Sequence, residues 1–118
     1  MLFDHSMDFG GALKALKEGK AVERRGWNGK GLFVYLVTGG NYPVQMDIVK
    51  PIAEKDGTLK YNPYMAIKNM DGSISTWVPS ANDCLAEDWF VVNPENQASL
   101  SKLYMEQAKV DKLKERKD

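Results

Sequence analysis

The chain has 118 residues, and its 16 Lys and Arg balance its 16 Asp and Glu, so its formal net charge is zero. A chain of this length with 43% hydrophobic residues forms one domain with a real core and leaves little room for a second. The zero net charge excludes a general attraction to DNA or to an anionic membrane, although a local patch could still bind one phosphate group.

The single cysteine, Cys84, excludes an intrachain disulfide, and we interpret it as a small buried apolar side chain. No stretch approaches the ~20 apolar residues of a membrane span. The first residues, MLFDH, lack the basic region and apolar run of a signal peptide. These features favour a cytoplasmic location.

The N-terminal part of the chain predicts a helix over residues 7–20. Four apolar residues recur at helical spacing on one face: Phe9, Ala12, Leu13 and Leu16. Asp8 is suited to cap the start of this helix, and Gly19 is suited to end it. Because Gly10 and Gly11 disfavour the first turn, we expect the helix to begin late.

Five segments have the pattern of short strands: 21–25, 32–38, 64–68, 74–78 and 88–92. The second, LFVYLVT, is almost continuously apolar, so we expect cover on both of its faces. Asp71-Gly72 predicts a tight hairpin between the third and fourth. Residues 41–60 have no clear pattern beyond a turn at 55–58.

Two further helices follow from the sequence. Ser80 caps a short helix over 80–87, with Asp83 placed as in a capping box. From Glu95 a helix of roughly twenty residues carries a narrow apolar stripe. That stripe, interrupted by Gln107, consists of Leu100, Leu103, Val110 and Leu113. It either pairs with another subunit or packs on its own domain.

These elements predict an α+β fold: an N-terminal helix, a mostly antiparallel sheet of about five strands, a short helical turn and a C-terminal helix. We assign residues 1–93 to the domain and residues 94–118 to a C-terminal helical extension. His5 is the sole histidine and lies in the N-terminal segment. A metal site or a histidine-dependent catalytic triad is therefore not expected, and neither is an enzyme or a cofactor.

The loop GWNGKG at 26–31 combines backbone N–H groups with the indole of Trp27 and the amide of Asn28. It has neither GxxxxGK[ST] nor GxGxxG spacing. A hairpin turn at Asn28-Gly29 would explain the loop without any function, yet such a turn does not need a tryptophan at its corner. Trp27 therefore either packs on its own domain or contacts a ligand or another subunit.

Charged residues accompany both tryptophan-bearing segments. Arg24, Arg25 and Lys30 are cations around the first segment, where they are either solvated or lie nearest to a phosphorylated ligand bound there. The second segment begins at Trp77 and carries Asp83 and Asp88. These carboxylates either cap a helix and face solvent or accept hydrogen bonds from a ligand. Together these groups suit a small polar aromatic ligand such as a nucleotide.

The chain resembles a family of small phage and prophage proteins, the second class of Thoeris anti-defence proteins. Five segments carry the resemblance, in this order: FGGALKALKEGK (9–20), RGWNGKG (25–31), PYMAIK (63–68), WVPS (77–80) and DCLAEDW (83–89). Residues 38–63 and the helix after Pro94 lie outside these motifs. Together the segments extend over roughly residues 7–92.

The resemblance implies a sponge that binds glycocyclic ADP-ribose immune signals without cleaving them, so that bacterial Thoeris defence stays silent. It also implies a homotetramer with ligand at subunit interfaces, and separate sites for cyclic oligonucleotides of another defence system. The motif residues carried over as ligand-binding are Trp27, Asn28, Trp77, Asp83 and Asp88, with Arg25 and Lys30 as nearby cations.

Two other hypotheses remain open. A protein–protein interaction module would present an exposed apolar patch and have no small-molecule ligand. An enzyme acting on nucleotides would form a product.

Overall fold

A computed structural model describes residues 6–115, without the side chains of residues 98, 100, 101 and 113–115. It has the predicted α+β fold. The helices are α1 (Phe9–Lys17), α2 (Ala81–Leu85) and α3 (Pro94–Glu115). The strands are β1 (Ala21–Arg24), β2 (Phe33–Val37), β3 (Gly40–Pro43), β4 (Thr58–Tyr61), β5 (Tyr64–Lys68), β6 (Ile74–Thr76) and β7 (Trp89–Val92). The placement of His5 lies outside the described residues.

The main sheet has five strands in the order β6-β5-β2-β1-β7, and every pairing is antiparallel. Val34 at its centre pairs with Val22 on one side and with Ile67 on the other. The prediction of about five strands is thus confirmed for this sheet. Strands β3 and β4 form an additional two-stranded sheet that includes part of the segment without a clear sequence pattern.

The core lies between α1 and one face of the main sheet. Its fully buried members include Leu16, Val22, Val34 and Trp89. Burying an aliphatic side chain of this size stabilises a fold by about 1.5–3 kcal/mol relative to leaving it exposed. Leu16 lies on the inner face of α1, as the helical spacing of the apolar residues predicted.

Helix α1 begins at Phe9, two residues after the start of the predicted range 7–20, and its first turn includes Gly10 and Gly11. Asp8 caps it as predicted, accepting a hydrogen bond of 2.9 Å from Gly11 N, and Gly19 ends it with φ of +86°. Gly11 lies where the helix passes close to Met7. A Cβ there would lie 2.9 Å from the Cβ of Met7, whose backbone is bonded to Trp89.

The second face of the sheet is only partly covered, contrary to the expectation for the 32–38 strand. Only Val34 of β2 is buried, and it faces α1, while Phe33 and Tyr35 stay partly exposed. These two rings line an open groove of about 480 Å³ with Pro94 at the start of α3. Helix α1 covers only one face of the sheet. The apolar side chains that residues 32–38 place on the other face therefore form a partly exposed surface of this chain.

Three further expectations need correction or refinement. The connection between β1 and β2 is longer than a two-residue hairpin, because it spans residues 25–32 and includes a 3-10 turn at Arg25–Trp27. Asn28 and Gly29 nevertheless have the positive φ angles, +58° and +66°, that a tight Asn-Gly turn requires. Cys84 is exposed rather than buried, since α2 turns it away from the core. Leu103 and Val110 on α3 are 63% and 44% exposed, so this part of the stripe does not pack on its own domain.

The side chains of Leu100 and Leu113, the other members of the stripe, lie outside the described set. Among the helices described, none has the length and apolar character needed to cross a bilayer.

Candidate functional site

An arginine joins the two tryptophan-bearing segments. Arg24, the last residue of β1, donates from Nε to Asp88 Oδ1 and from Nη1 to Asp83 Oδ1, each at 2.9 Å. Its side chain is 21% exposed, and those of Asp83 and Asp88 are 13% and 32% exposed. The structure therefore brings two predicted site residues together around Arg24, which the sequence indicated as a cation near the loop but not as their ion-pair partner.

The charges of this cluster reinforce one another. Burial opposes ionisation of Asp83 and Asp88, but hydrogen bonds from Ser80, Arg24 and Gly26 together outweigh it and hold both pKa values below their ordinary range. The hydrogen bonds that Arg24 donates to these carboxylates raise its own pKa, and the bond to Asp88 has the larger effect, followed by the bond to Asp83. All three groups are charged near neutral pH.

Each carboxylate also fixes a piece of backbone with its second oxygen. Asp88 Oδ2 accepts from Gly26 N at 2.9 Å, which ties the 26–31 loop to the start of β7. Asp83 Oδ2 accepts from Ser80 N at 2.9 Å, and Ser80 Oγ accepts from Asp83 N at 3.1 Å. This is the predicted capping box. A carboxylate oxygen has two lone pairs, so a ligand hydroxyl could still bond to either group.

The three tryptophans of the sequence meet at the same place. Trp89 is fully buried, and its Nε1 donates to the carbonyl of Asp83 at 2.9 Å. Trp27 and Trp77 pack edge-on against it, with ring centroids at 5.4 Å and 5.9 Å. Both outer rings stay partly exposed. Trp27 thus packs on its own domain and keeps part of its surface available for another contact.

The remaining predicted site residues are Arg25, Lys30 and Asn28, and the two cations contact aromatic rings outside the Arg24 cluster. Arg25 lies over the ring of Phe90, 4.6 Å from its centroid, and Lys30 Nζ lies 5.7 Å from the ring of Tyr104 on α3. Arg25 also donates from Nε to Ser6 Oγ at 3.1 Å. Asn28 is exposed beside Trp27.

Sequence reasoning missed the role of Arg24. The signal that could have found it is the alternation in β1, which places Arg24 on the same sheet face as the core residue Val22. A cation on a core-facing position requires a carboxylate partner. Its pairing with Trp89 across the sheet brings that partner, Asp88, within reach.

Two large apolar side chains close in sequence to the cluster residues are exposed. Val78, next to Trp77, and Leu85 on α2 are each 80% exposed. The described part of the chain contains no grouping of three residues able to hold a metal ion. The cluster, Arg24 with Asp83, Asp88 and the outer tryptophans, therefore offers ring surfaces and carboxylate acceptors beside an apolar rim.

This α+β domain, with its arginine–carboxylate centre, matches a known protein family. Residues 7–92 match the family model described as the Thoeris anti-defense 2-like domain. The chain is also 39% identical over 87 residues to Thoeris anti-defense 2 of Bacillus phage SP01, across 74% of this chain and 96% of that protein. The chain belongs to the Thoeris anti-defense 2-like family, as the sequence motifs indicated. Membership implies inhibition of Thoeris defence, and α3 lies outside the matched domain.

Proposed function

We propose that this protein inhibits Thoeris defence by binding glycocyclic ADP-ribose signals and sequestering them without cleavage, in the cytoplasm of the infected cell. The observation that supports this most is the convergence of two half-exposed indoles and two ionised carboxylates around Arg24. These are the groups that a ligand containing a base and ribose hydroxyls requires. A sponge needs affinity and no catalytic group.

Each part of the ligand has a matching group. The exposed part of the Trp27 ring can stack on adenine, as aromatic side chains commonly do with bases. Asp83 and Asp88 can accept from ribose hydroxyls with their unused lone pairs. The pyrophosphate finds backbone N–H groups in the 26–31 loop, and Arg25 and Lys30 are cations of the same loop that a side-chain rotation could bring nearer.

We further propose that the functional unit is a homo-oligomer, a tetramer, with ligand held where subunits meet. Val78 and Leu85, each 80% exposed, support this because large apolar side chains beside a polar site favour burial against a partner. The zero net charge does little to oppose self-association. Cyclic oligonucleotides are proposed as additional ligands at separate sites.

Calorimetric titration with glycocyclic ADP-ribose isomers tests the proposal, followed by heating and chromatography of the released ligand. Tight binding with intact ligand recovered supports a sponge, whereas conversion to a product would identify an enzyme. Asp83→Asn should weaken binding at least tenfold. Asp71→Asn, the same change in an exposed turn, should not. Absence of heat with every isomer would refute the proposal.

Sedimentation tests the assembly. Leu85→Asp should reduce the mass of the particle if Leu85 lies between subunits. An unchanged mass would exclude this surface from the interface.

One observation favours a second candidate, the protein–protein interaction module. Met46, Ile48 and Ile52 are 66%, 83% and 69% exposed around a 3-10 helix at Asp47–Ile52. A patch of this kind is typical of a protein partner site. If Ile48→Asp removed Thoeris inhibition while signal binding stayed intact, this candidate would be favoured over the sponge.

A further inference from the structure

Strands β2–β3 and β4–β5 form one long antiparallel ribbon with a bend. Val37 pairs with Tyr64 before the bend, and Gly40 pairs with Tyr61 after it. The two sheets separate between these pairs. Gly39 makes the bend possible, because a Cβ there would lie 2.5 Å from the carbonyl oxygen of Tyr61. A side chain at position 39 would push the two arms apart.

A groove of about 460 Å³ lies at this bend, and we call it the tyrosine groove. Tyr42, Tyr61 and Tyr64 line it and are 45%, 44% and 46% exposed. Gln45 and Asn62, two residues with amide side chains, also line it. No Asp, Glu, Lys or Arg appears among its described lining residues. The groove combines aromatic surface with uncharged donors and acceptors.

Its rings are already oriented. The hydroxyl of Tyr42 donates to the carbonyl of Thr38 at 3.3 Å. The end of the Tyr42 ring lies close over Gly40, where a Cβ would meet its hydroxyl oxygen at 3.1 Å. Tyr61 packs against Tyr42 with centroids 6.0 Å apart and planes at 52°. A surface fixed in this way loses little conformational entropy when a ligand binds.

We propose that the tyrosine groove is a second binding site, which takes an uncharged purine nucleoside ring. The planes of Tyr42 and Tyr61 are inclined by 52°, so a planar base can stack on the exposed face of one ring and meet the other ring at its edge. The volume is ordinary for a small-ligand site. Asn62 and Gln45 are residues whose amides match the mixed donors and acceptors of a base edge. The choice of a base over other planar rings rests on the proposed function.

The absence of charged lining residues sets this site apart from the arginine–carboxylate cluster. A phosphate in the groove would meet no cation, so phosphates of a bound nucleotide stay outside in solvent. Recognition then depends on the base alone. Affinity should be nearly independent of salt, because the salt dependence of nucleotide binding arises from phosphate contacts. One stacked base contributes modestly, which places the Kd for adenosine in a range of about 0.1–1 mM.

The experiment is an NMR titration of the whole protein with adenosine, at low and high salt, following tyrosine and tryptophan ring signals. Ribose 5-phosphate is the control that lacks a base. Adenosine should shift the tyrosine signals equally at both salt concentrations, and ribose 5-phosphate should not. No shift with adenosine, or a shift confined to the tryptophans, would overturn the proposal.

Two variants assign the site. Tyr61→Ala changes a half-exposed side chain, should fold, and should weaken adenosine binding at least tenfold, while Tyr61→Phe should retain most of it. Tyr104→Ala, the same change at a similarly exposed tyrosine outside the groove, should leave adenosine binding unchanged. Equal binding by Tyr61→Ala and wild type would refute the assignment. A proline-rich peptide that shifts the tyrosines when adenosine does not would identify a peptide groove instead.

The outcome is separable from that of the main proposal. Glycocyclic ADP-ribose binding that requires Asp83, without any adenosine binding at the groove, leaves the sponge intact and removes the second site. Adenosine binding that requires Tyr61, without any binding of glycocyclic ADP-ribose, does the reverse.

Discussion

Trp27 lies edge-on against Trp89, with ring centroids 5.4 Å apart and planes at 79°. Trp89 is fully buried, whereas Trp27 keeps part of its ring exposed. The outer indole therefore covers the core and presents a ring to the surroundings at the same time. Structural and binding roles of Trp27 are linked, and an experiment has to separate them.

Trp27→Ala is expected to affect both roles. Loss of the packed part of the ring should lower the free energy of unfolding by about 1–3 kcal/mol, less than for a fully buried tryptophan. The domain should stay folded because Leu16, Val22 and Val34 retain their contacts. Loss of the stacking surface should weaken glycocyclic ADP-ribose binding at least tenfold. Denaturant unfolding and calorimetry measure the two effects.

Trp27→Phe is the matched control, since it keeps an aromatic ring at the same position. It should restore most of the binding and part of the stability. A folded Trp27→Ala protein that binds as tightly as wild type would show that the indole is not part of the site.

A second prediction concerns acid stability. Because the folded-state pKa values of Asp83 and Asp88 lie below the ordinary carboxyl range, the stability from these ion pairs is complete above about pH 4. It is lost as the pH falls through the lowered values. Arg24→Gln should cost about 2–3 kcal/mol at pH 7, since it leaves two partly buried carboxylates without their cation.

Urea unfolding of wild type and Arg24→Gln from pH 2 to 7 provides the measurement. The two curves should converge at low pH, where the carboxylates are protonated and the arginine has no charge partners. Arg24→Lys separates charge from geometry, because a lysine cannot donate to both carboxylates in the forked manner of a guanidinium. Parallel curves for Arg24→Gln and wild type would contradict the assignment of the acid transition to this cluster.

Local chemistry made several elements predictable from sequence. The helix-capping roles of Asp8, Gly19 and Ser80 can be predicted from sequence, because each involves only backbone groups within a few residues. The Asp71-Gly72 turn likewise needs only the φ above zero that Gly72 adopts at +91°. Residue periodicity was sufficient for α1 and the main strands.

Long-range contacts explain what sequence reasoning missed. Arg24 and Asp83 are 59 positions apart, and only the sheet register and α2 bring them together. Gly39 likewise approaches the carbonyl oxygen of Tyr61 closely, and no residue near it in the sequence indicates that contact. The positions of the Arg25 and Lys30 side chains are set by contacts with the rings of Phe90 and Tyr104, and local sequence patterns do not reveal these contacts.

A third prediction concerns a buried acid. Glu23 is 4% exposed, and its Oε2 has no hydrogen-bond partner among the described residues. Burial raises its pKa to about 7, against a smaller opposing effect of Arg25. The folded state therefore favours the neutral acid. Its contribution to stability is complete below the unfolded value near 4.5 and is lost as the pH rises through about 7.

Glu23→Gln keeps the shape and removes the titration. Wild type should lose thermal stability between pH 5 and 8, while the variant should not, and the variant should be the more stable protein at pH 8. Glu18→Gln, at an exposed position in the turn after α1, is the matched control and should follow wild type. A wild-type profile that is flat over this range would show that Glu23 is ionised in the folded protein.

The C-terminal helix gives the last prediction. The matched family domain ends at residue 92, and Thoeris anti-defense 2 of Bacillus phage SP01 is covered over 96% of its length. A chain ending at Asn93 should therefore fold and retain glycocyclic ADP-ribose binding within about threefold. It should nevertheless be less stable, because Gln97 in the first turns of α3 is only 5% exposed and so packs against the domain.

The truncation also tests whether α3 excludes water from the Glu23 carboxyl group. Pro94, at the start of α3, lines the groove on the same sheet face as Glu23, so removing the helix should admit water there. The pKa of Glu23 should then fall toward its ordinary value, and the loss of stability between pH 5 and 8 should diminish. Tyr104→Ala, which removes the contact with Lys30 and leaves Pro94 and Gln97 in place, should keep the wild-type profile. If the shortened chain retained the full pH dependence, the burial of Glu23 would be a property of the sheet alone.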